Sequence, residues 1–317
     1  PVQALHGDLL LLANTADVSK GLKSMSDALR QGLEAAVNEF NAEGGFNGLR
    51  LKIVYLDDEY DPMLAKENVQ KFLNEYDTNL FISSVGTPTL ESYIDLVMDG
   101  KVAIFFPFTG SSTFRKSELK NVLHFSPSYD ETTGAATKYI LKNFAPKRWA
   151  LFYQDDNFGI VPKNAIKKLL QKEKINDILE VSFERNSVNF TQQAKEVIAF
   201  KPEVIGFFGP SVAAQGFIRA AGVKDLSDKI LYGLPWLSGD KLQNFLTEKG
   251  LKMIIPNVLP NPKTSELPIV QEFRKAIKGT AASLDVNALE GYVNMRLFIH
   301  MLKNVKGALT IGNIMRV

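Results

Sequence analysis

Acidic side chains are densest in the segment NEFNAEGGFNGLRLKIVYLDDEYDP, residues 38–62. Four of them fall within five residues after a strand-like run: Asp57, Asp58, Glu59 and Asp61. Carboxylates grouped in this way can bind a hard cation or exchange protons with a substrate. The same residues also suit a loop at the rim of another site. The segment alone leaves both interpretations open.

Two other loops combine a glycine with hydroxyl groups, Gly86–Thr89 and Thr109–Ser112. Each is predicted to lie between a buried strand and the start of a helix. Unpaired N–H groups and the helix dipole favour an anion there, and hydroxyl groups add uncharged donors. The two loops together suit a carboxylate or a similar oxyanion. Ordinary helix capping explains the same residues equally well, so both interpretations stay open.

Aromatic residues occupy two loops of the second half of the chain. Phe158 follows a strand-like run in YQDDNFG, and Trp236 follows another in YGLPWLSG. Either ring could stack on a ligand or simply cover the end of a sheet.

Composition excludes several classes of function. With 317 residues the chain is long enough for two domains. Its net charge of +2 is too small to indicate a surface dedicated to nucleic-acid binding. The absence of cysteine excludes thiolate metal sites and thiol nucleophiles, and the three histidines are scattered. No GxSxG, HExxH, GxGxxG or Walker motif follows a strand. We therefore expect a binding protein without a cofactor, and not an enzyme.

Short apolar runs alternate with amphipathic segments along most of the chain, which indicates parallel sheets covered by helices. The predicted strands are Leu9–Ala13, Leu51–Leu56, Leu80–Val85, Val102–Phe108, Trp149–Tyr153, Ile178–Phe183, Val204–Phe208 and Ile230–Leu234. The predicted helices are Met25–Phe40, Met63–Tyr76, Leu90–Met98, Thr133–Phe144, Pro162–Lys172, Phe190–Phe200, Val212–Ala221, Ile269–Lys278 and Asn287–Lys303.

The pattern predicts an α/β fold with two doubly wound, Rossmann-like lobes and a ligand cleft between them. Residues 1–124 and 251–317 are predicted to form lobe 1, and residues 125–250 lobe 2, with hinge crossovers near 123–129 and 250–256. Such sheets bind ligands beyond the carboxyl ends of their strands, which directs attention to the loops described above.

Several motifs occur in an order that resembles a known family. They are GLEAAVNEFNAEGGFNGLRLKIVYLDDEYDP, GTPT, IFFPFTGSS, YILKNFAPKRWALFYQDDNFG and FIRAAG. Between about Asp8 and Lys303 the chain resembles the type I periplasmic binding proteins of the leucine/isoleucine/valine-binding class, which are the substrate-binding components of ABC importers. The resemblance implies two lobes that close on a small ligand by a hinge motion.

The resemblance also decides how the acidic segment is interpreted. In this family the double glycine turns the chain from helix to strand, and the acids after the strand are structural. We therefore expect no metal site, but a loop in which Asp61-Pro62 begins the next helix.

The resemblance implies a location and partners as well. We expect a periplasmic or extracytoplasmic monomer that meets a membrane permease and binds no nucleic acid. The chain begins with Pro1, so we expect that a signal peptide has been removed. The family continues past the last long helix, so we expect that the C-terminal end is cut away.

Carried over residue by residue, the resemblance implies a set of ligand-binding positions. Thr87 matches a hydroxyl that binds the ligand carboxylate, and the PFTGSS loop matches the other half of that site. Tyr129 lies at the lobe crossover, Phe158 matches an aromatic of the second lobe, and Ser211 stands where branched-chain binders carry an aromatic. With Trp236, the candidates are Thr87, Phe108, Thr109, Gly110, Ser111, Tyr129, Phe158, Ser211 and Trp236.

One departure from the family bears on the ligand. Amino-acid binders place a carboxylate after the strand that matches Ile230–Leu234, where it pairs with the ligand ammonium. Here the loop Leu234–Leu237 has no acid before Asp240. Because a buried ammonium without a partner is costly, we expect a non-amino organic acid more than an amino acid. A ligand-sensing domain of a receptor or regulator stays the alternative function, and an enzyme is the least favoured.

Overall fold

The computed structural model describes residues 4–317. Its strands are β1 Leu5–His6, β2 Leu9–Ala16, β3 Arg50–Asp57, β4 Leu80–Ile82, β5 Ala103–Phe105, β6 Val122–Leu123, β7 Arg148–Gln154, β8 Asp177–Phe183, β9 Val204–Phe208 and β10 Ile230–Gly233. Its α-helices are α1 Lys23–Ala42, α2 Pro62–Asn74, α3 Thr87–Glu91, α4 Ile94–Met98, α5 Tyr129–Phe144, α6 Asn157–Lys172, α7 Thr191–Phe200, α8 Ser211–Ala221, α9 Val223–Leu226, α10 Asp240–Lys249, α11 Pro268–Ala276, α12 Val286–Asn304 and α13 Ile311–Met315.

The chain divides into two compact units. The first contains the residues up to Thr109, Thr113–Ser126 and Leu259–Val317, and the second contains Gly110–Ser112 and Pro127–Val258. Each unit has its own mainly parallel sheet, so the predicted α/β fold class with two Rossmann-like lobes is confirmed. Among the described residues, no helix has both the length and the apolar character needed to cross a membrane.

The first unit is built on a sheet in which β3, β2, β4, β5 and β6 lie in that order, with short β1 antiparallel to β2. Strand β3 thus lies outside β2, and the sheet grows in the other direction from β4 onwards. Such a reversal is the switch point at which open α/β sheets bind ligands. The residues beyond the carboxyl ends of β2 and β4 therefore occupy the position from which this unit can bind a ligand.

The second unit repeats this arrangement with four parallel strands in the order β10, β9, β7, β8. Its switch point lies between β7 and β9. A phenylalanine cluster fills one face of the sheet, where the Phe152 ring stacks on Phe183 with centroids 4.5 Å apart. The loops after β7, β9 and β10 begin directly beyond this core.

Two predicted strands of the first unit are shorter than expected. Leu80–Val85 and Val102–Phe108 were predicted, whereas β4 ends at Ile82 and β5 at Phe105. The next residues, Ser83 and Phe106, have φ of 50° and 55°, in the left-handed region that interrupts a strand. Pairing resumes in an isolated bridge between Val85 and Phe108, so the two segments stay side by side beyond the regular strands.

Two predicted helix positions are also wrong. The helix Leu90–Met98 is two short helices, α3 and α4, separated at Ser92 and Tyr93. The loop Thr109–Ser112 leads into a 3₁₀ turn of three residues at Ser112–Phe114 and not into an α-helix. Helix dipoles therefore contribute less here than the sequence implied, because a dipole grows with aligned peptide units.

Helix α6 begins before the predicted Pro162. Asp156 caps it by accepting from Phe158 N–H, and the helix tolerates Pro162 in its second turn. A proline at that position removes one backbone donor from the helix.

Candidate functional site

In the first unit, Thr87 and Thr109 are brought together at the carboxyl ends of two neighbouring parallel strands. Both residues are fully buried, and their Oγ1 atoms lie 2.7 Å apart in a hydrogen bond. The backbone links the two loops as well, since Gly86 N–H donates to the carbonyl of Phe108 at 3.3 Å. Phe108 itself is buried and closes the bridge to Val85. These contacts hold two neutral hydroxyl groups side by side.

Gly86 allows this loop to turn into α3. Its φ of 110° is a conformation that side chains rarely adopt, and a Cβ there would overlap the Thr89 hydroxyl and touch the Tyr60 ring. Thr89 is tied to the same turn, because its hydroxyl donates to the carbonyls of Val85 and Gly86. Thr89 is therefore a structural hydroxyl, distinct from that of Thr87.

In the second unit, Tyr129 lies at the centre of a buried aromatic cluster. Its phenolic oxygen accepts a hydrogen bond from Trp236 Nε1 at 3.1 Å, and its ring centroid lies 5.9 Å from that of Phe158. Tyr129 starts α5, Trp236 lies in a 3₁₀ turn after β10, and Phe158 lies in the first turn of α6 and not in the loop expected after β7. Tyr129, Phe158 and Trp236 are only 2%, 5% and 7% exposed, so all three rings are packed on most of their surface.

Gly110 belongs to the same cluster through its backbone. Its carbonyl accepts from Tyr129 N–H at 2.7 Å, and a Cβ on Gly110 would overlap the Tyr129 ring. Ser111 follows directly and is fully buried. Ser128 starts α5 with a capping box to Glu131, which orients the helix that carries Tyr129.

Ser211 is placed differently from the other candidates. It is the first residue of α8, half-buried, and its hydroxyl accepts from Gln215 Nε2 at 2.9 Å. The structure thus groups Thr87, Phe108 and Thr109 in the first unit, and Gly110, Tyr129, Phe158 and Trp236 in the second.

The comparison with known proteins gives the family. The sequence model of a family described as "Periplasmic binding protein" matches residues 13–316. The chain belongs to this periplasmic binding protein family. The family consists of binding proteins, and the resemblance to its type I, leucine/isoleucine/valine-binding class is confirmed.

One relative and two solved structures illustrate the similarity. Leu/Ile/Val-binding protein homolog 2 of Brucella abortus is 25% identical over 258 residues, which span 80% of this chain and 68% of that protein. A possible leucine/isoleucine/valine-binding protein from Rhodopirellula baltica has 25% identity and a TM-score of 0.85, covering 99% of this chain and 86% of its own. A solute-binding protein of an ABC transporter from R. palustris, in complex with 4-hydroxybenzoate, shares the fold at 18% identity, with a TM-score of 0.84 and coverage of 97% and 84%.

The acidic segment of this periplasmic binding protein is engaged in loop and helix contacts. Asp61 caps α2 by accepting from Met63 and Leu64 N–H, which confirms that Asp61-Pro62 begins the helix. Asp57 accepts from Val18 and Glu59 N–H. Within residues 4–317, no group of three or more His, Cys, Asp or Glu side chains is arranged to hold a metal ion.

Asp58 is the one acid of the segment that is fully buried. Its carboxyl group accepts from the Thr15 hydroxyl and from Tyr60 N–H, each at 2.9 Å. Burial raises the pKa of Asp58 to about 7, against the lowering effect of these hydrogen bonds. Since the Tyr60 ring lies beneath Gly86, Asp58 supports the loop that carries Thr87.

The sequence did not reveal the residues that orient these loops. Asp156 holds Phe158 N–H at 3.0 Å and also accepts from Gln154 Nε2 at 2.7 Å. An aspartate directly before the start of a helix is a capping signal, so this role was detectable. The amides of Asn14 and Asn294 hold the ends of β4 and β5, and no local motif marks either residue.

Proposed function

We propose that this periplasmic binding protein is the extracytoplasmic solute-binding component of an ABC importer and captures a small carboxylate-bearing ligand. The partner is a membrane permease, and the ligand is retained by the hinge closure that is usual for the fold. Of the two ligand classes that the sequence leaves open, we propose the non-amino organic acids.

The hydroxyl pair carries this proposal. Thr87 Oγ1 and Thr109 Oγ1 lie 2.7 Å apart at neighbouring strand ends next to the switch point of their sheet. Hydroxyl hydrogens rotate, so two adjacent hydroxyl groups can turn toward the two oxygens of one carboxylate. In a buried setting, neutral donors bind an anion without a charge that would itself need compensation.

The second unit supports a ligand without an ammonium group. The loop after β10 presents Leu234, Pro235 and Trp236, all buried and uncharged. Asp156 after β7 is engaged with the Gln154 side chain, Phe158 N–H and, at 3.5 Å, Arg185. The buried rings of Tyr129, Phe158 and Trp236 make the surroundings of these loops apolar and aromatic, which suits a ligand with an apolar or aromatic body.

The relatives suggest the two alternatives to compare. The Brucella abortus relative is named for leucine, isoleucine and valine, and the R. palustris structure holds 4-hydroxybenzoate. We therefore choose probes that differ by a single group. Leucine and 4-methylpentanoate differ only in the ammonium, and 4-hydroxybenzoate and 4-hydroxybenzamide differ in the carboxylate.

Isothermal titration calorimetry with these four compounds tests the proposal. We expect 4-methylpentanoate to bind more tightly than leucine, and 4-hydroxybenzoate more tightly than its amide. Tighter binding of leucine than of 4-methylpentanoate would show that an ammonium is recognised. Equal binding of the acid and the amide would remove the carboxylate from the proposal.

A further inference from the structure

Strands β4 and β5 are interrupted at equivalent positions by residues with left-handed backbone. Ser83 and Phe106 are the first residues after the two strands, with φ of 50° and 55°. A non-glycine residue seldom adopts this conformation, and a bulky one such as phenylalanine least of all. Such conformations persist only when the surrounding structure holds them, and they concentrate at binding sites.

Two buried asparagines donate hydrogen bonds to the residues at which β4 and β5 are interrupted. Asn14 of β2 donates from Nδ2 to the carbonyls of Ile82 and Ser83, at 2.8 and 3.1 Å. Asn294 of α12 donates from Nδ2 to the Ser83 hydroxyl at 2.9 Å and to the Phe106 carbonyl at 3.5 Å. The Asn294 amide thus bridges both interrupted strands. It lies 211 residues along the chain from Ser83 and 188 residues from Phe106.

Backbone hydrogen bonds join the two segments between the Asn294 bridge and the hydroxyl pair. Ser83 N–H donates to the Phe105 carbonyl at 2.9 Å, and Phe108 N–H donates to the Ser84 carbonyl at 2.9 Å. Beyond these bonds come Thr87 and Thr109. Because Ser83 and Phe106 turn together, the two loops leave the sheet side by side, and their threonine hydroxyls meet.

The side-chain amide of Asn294 acts as a hydrogen-bond donor to the two interrupted strands. Both of its described partners, the Ser83 hydroxyl and the Phe106 carbonyl, can accept from Nδ2, and only an N–H group can serve the carbonyl. Asn294 is fully buried, which makes these bonds insensitive to competition from solvent. A side chain that only filled space would need no such donor.

We propose that Asn294 is a positioning residue for ligand binding, which holds Ser83 and Phe106 in their left-handed conformation and thereby sets the spacing of Thr87 and Thr109. The inference rests on the proposed function, in which these two hydroxyls bind the ligand carboxylate. It assigns a role in recognition to a helix that contributes no residue to the hydroxyl pair itself.

Threonine-methyl NMR of the ligand-free protein tests the inference without any ligand. The Thr87 and Thr109 methyl signals are assigned with Thr87→Ser and Thr109→Ser. The test variants are Asn294→Ala and Ser83→Ala, which remove the same hydrogen bond from its two sides. The matched control is Asn41→Ala, which removes two amide hydrogen bonds to Leu51 near the start of β3, at the opposite end of the strands.

We expect both test variants to shift the Thr87 and Thr109 methyl signals by more than a line width and in the same directions. The control should lower the melting temperature and leave both signals in place. Since glycine adopts positive φ readily, Ser83→Gly in the Asn294→Ala background should return the signals toward their original positions.

Unchanged Thr87 and Thr109 signals in Asn294→Ala would overturn the inference. If Asn294→Ala does not fold, Ser83→Ala decides, and unchanged signals in that variant have the same meaning. Equal shifts in the Asn41→Ala control would also overturn it, because the signals would then follow stability alone. Calorimetry of the unmodified protein tests the proposed function separately, so the two failures are distinguishable.

Discussion

The indole N–H of Trp236 donates a hydrogen bond to the phenolic oxygen of Tyr129, with the two atoms 3.1 Å apart. Tyr129 is the first residue of α5, packs its ring against Phe158 and donates its backbone N–H to Gly110. One tyrosine therefore joins four separate chain segments of the second unit. These segments carry most of the candidate ligand-binding residues of that unit. We therefore expect substitution of Tyr129 to lower both the stability of the protein and its affinity for the ligand.

Tyr129→Phe removes the acceptor of this hydrogen bond and keeps the ring. We expect a loss of about 1 kcal/mol of folding free energy, the usual contribution of a buried hydrogen bond. Urea denaturation measures this loss. The control is Tyr139→Phe on the same helix, where the side chain is 53% exposed, and it should leave stability unchanged. Equal stability of the two variants would contradict the role given to the Tyr129 hydroxyl.

Thr87→Val and Thr109→Val keep the shape of the side chain and remove its hydroxyl. If the pair binds a carboxylate, each variant should weaken binding by about tenfold or more, because a lost hydrogen bond to a charged group costs about 1.5–3 kcal/mol. Thr87→Ser should retain most of the affinity. Calorimetry with the best-binding probe measures these differences, with Thr113→Val as a control at a half-buried threonine outside the pair.

The stability contributed by Asp58 and Glu290 should fall as the pH rises from about 4 to 7. Burial raises the pKa of Asp58 and of Glu290 to about 7 each, from reference values of 3.8 and 4.5. Between the two values the folded protein holds protons that the unfolded chain has released. The contribution of each group to stability is therefore greatest below its unfolded pKa and decreases by up to about 1.4 kcal/mol per pH unit until its folded pKa is passed.

Asp58→Asn and Glu290→Gln isolate these two contributions. Each variant should have a flatter stability profile between pH 4 and 7, because the neutral amide takes the place of the protonated acid. Guanidinium denaturation at several pH values gives the profile. A variant whose profile runs parallel to that of the unmodified protein would show that the residue does not titrate with a raised pKa.

The packing of α12 on α1 should be sensitive to one methyl group. A Cβ on Gly291 would overlap the backbone carbonyl of Leu29, so Gly291→Ala should destabilise the protein by about 1–3 kcal/mol. The control is Gly134→Ala in α5, where nothing lies within 4 Å of the added Cβ and alanine should stabilise the helix by about 0.5–1 kcal/mol. Opposite signs of the two effects in chemical denaturation would support this packing, and equal signs would contradict it.

The sequence was most informative where apolar residues recur regularly. The run Val204–Phe208 was predicted as a strand and coincides with β9, because five consecutive buried residues in a parallel strand have no polar face to disturb the pattern. The same rule overextended β4 and β5. Residues 83–85 and 106–108 are as buried as the strands themselves, and only their backbone angles, held from distant chain segments, end the pairing.

Some residues of the candidate site could likewise be predicted from the sequence, and others could not. Thr87 and Thr109 could be proposed from glycine-hydroxyl loops after strands and from the family resemblance. The contribution of Asn294 could not, since asparagine inside a long helix is ordinarily a weak signal, and its partners lie 188 and 211 residues away. Tertiary hydrogen bonds of this kind depend on the packing of α12 beside the sheet, which no local pattern records.

The identity of the bound compound tests the central claim most directly. Native mass spectrometry of the purified protein, followed by identification of the released molecule, measures it. We predict one equivalent of a small organic acid that has a carboxylate and lacks an amine. An α-amino acid would contradict the proposed ligand class and would require a partner for its ammonium in the second unit. A stoichiometric ligand without any carboxylate would contradict the role of the Thr87 and Thr109 hydroxyl pair.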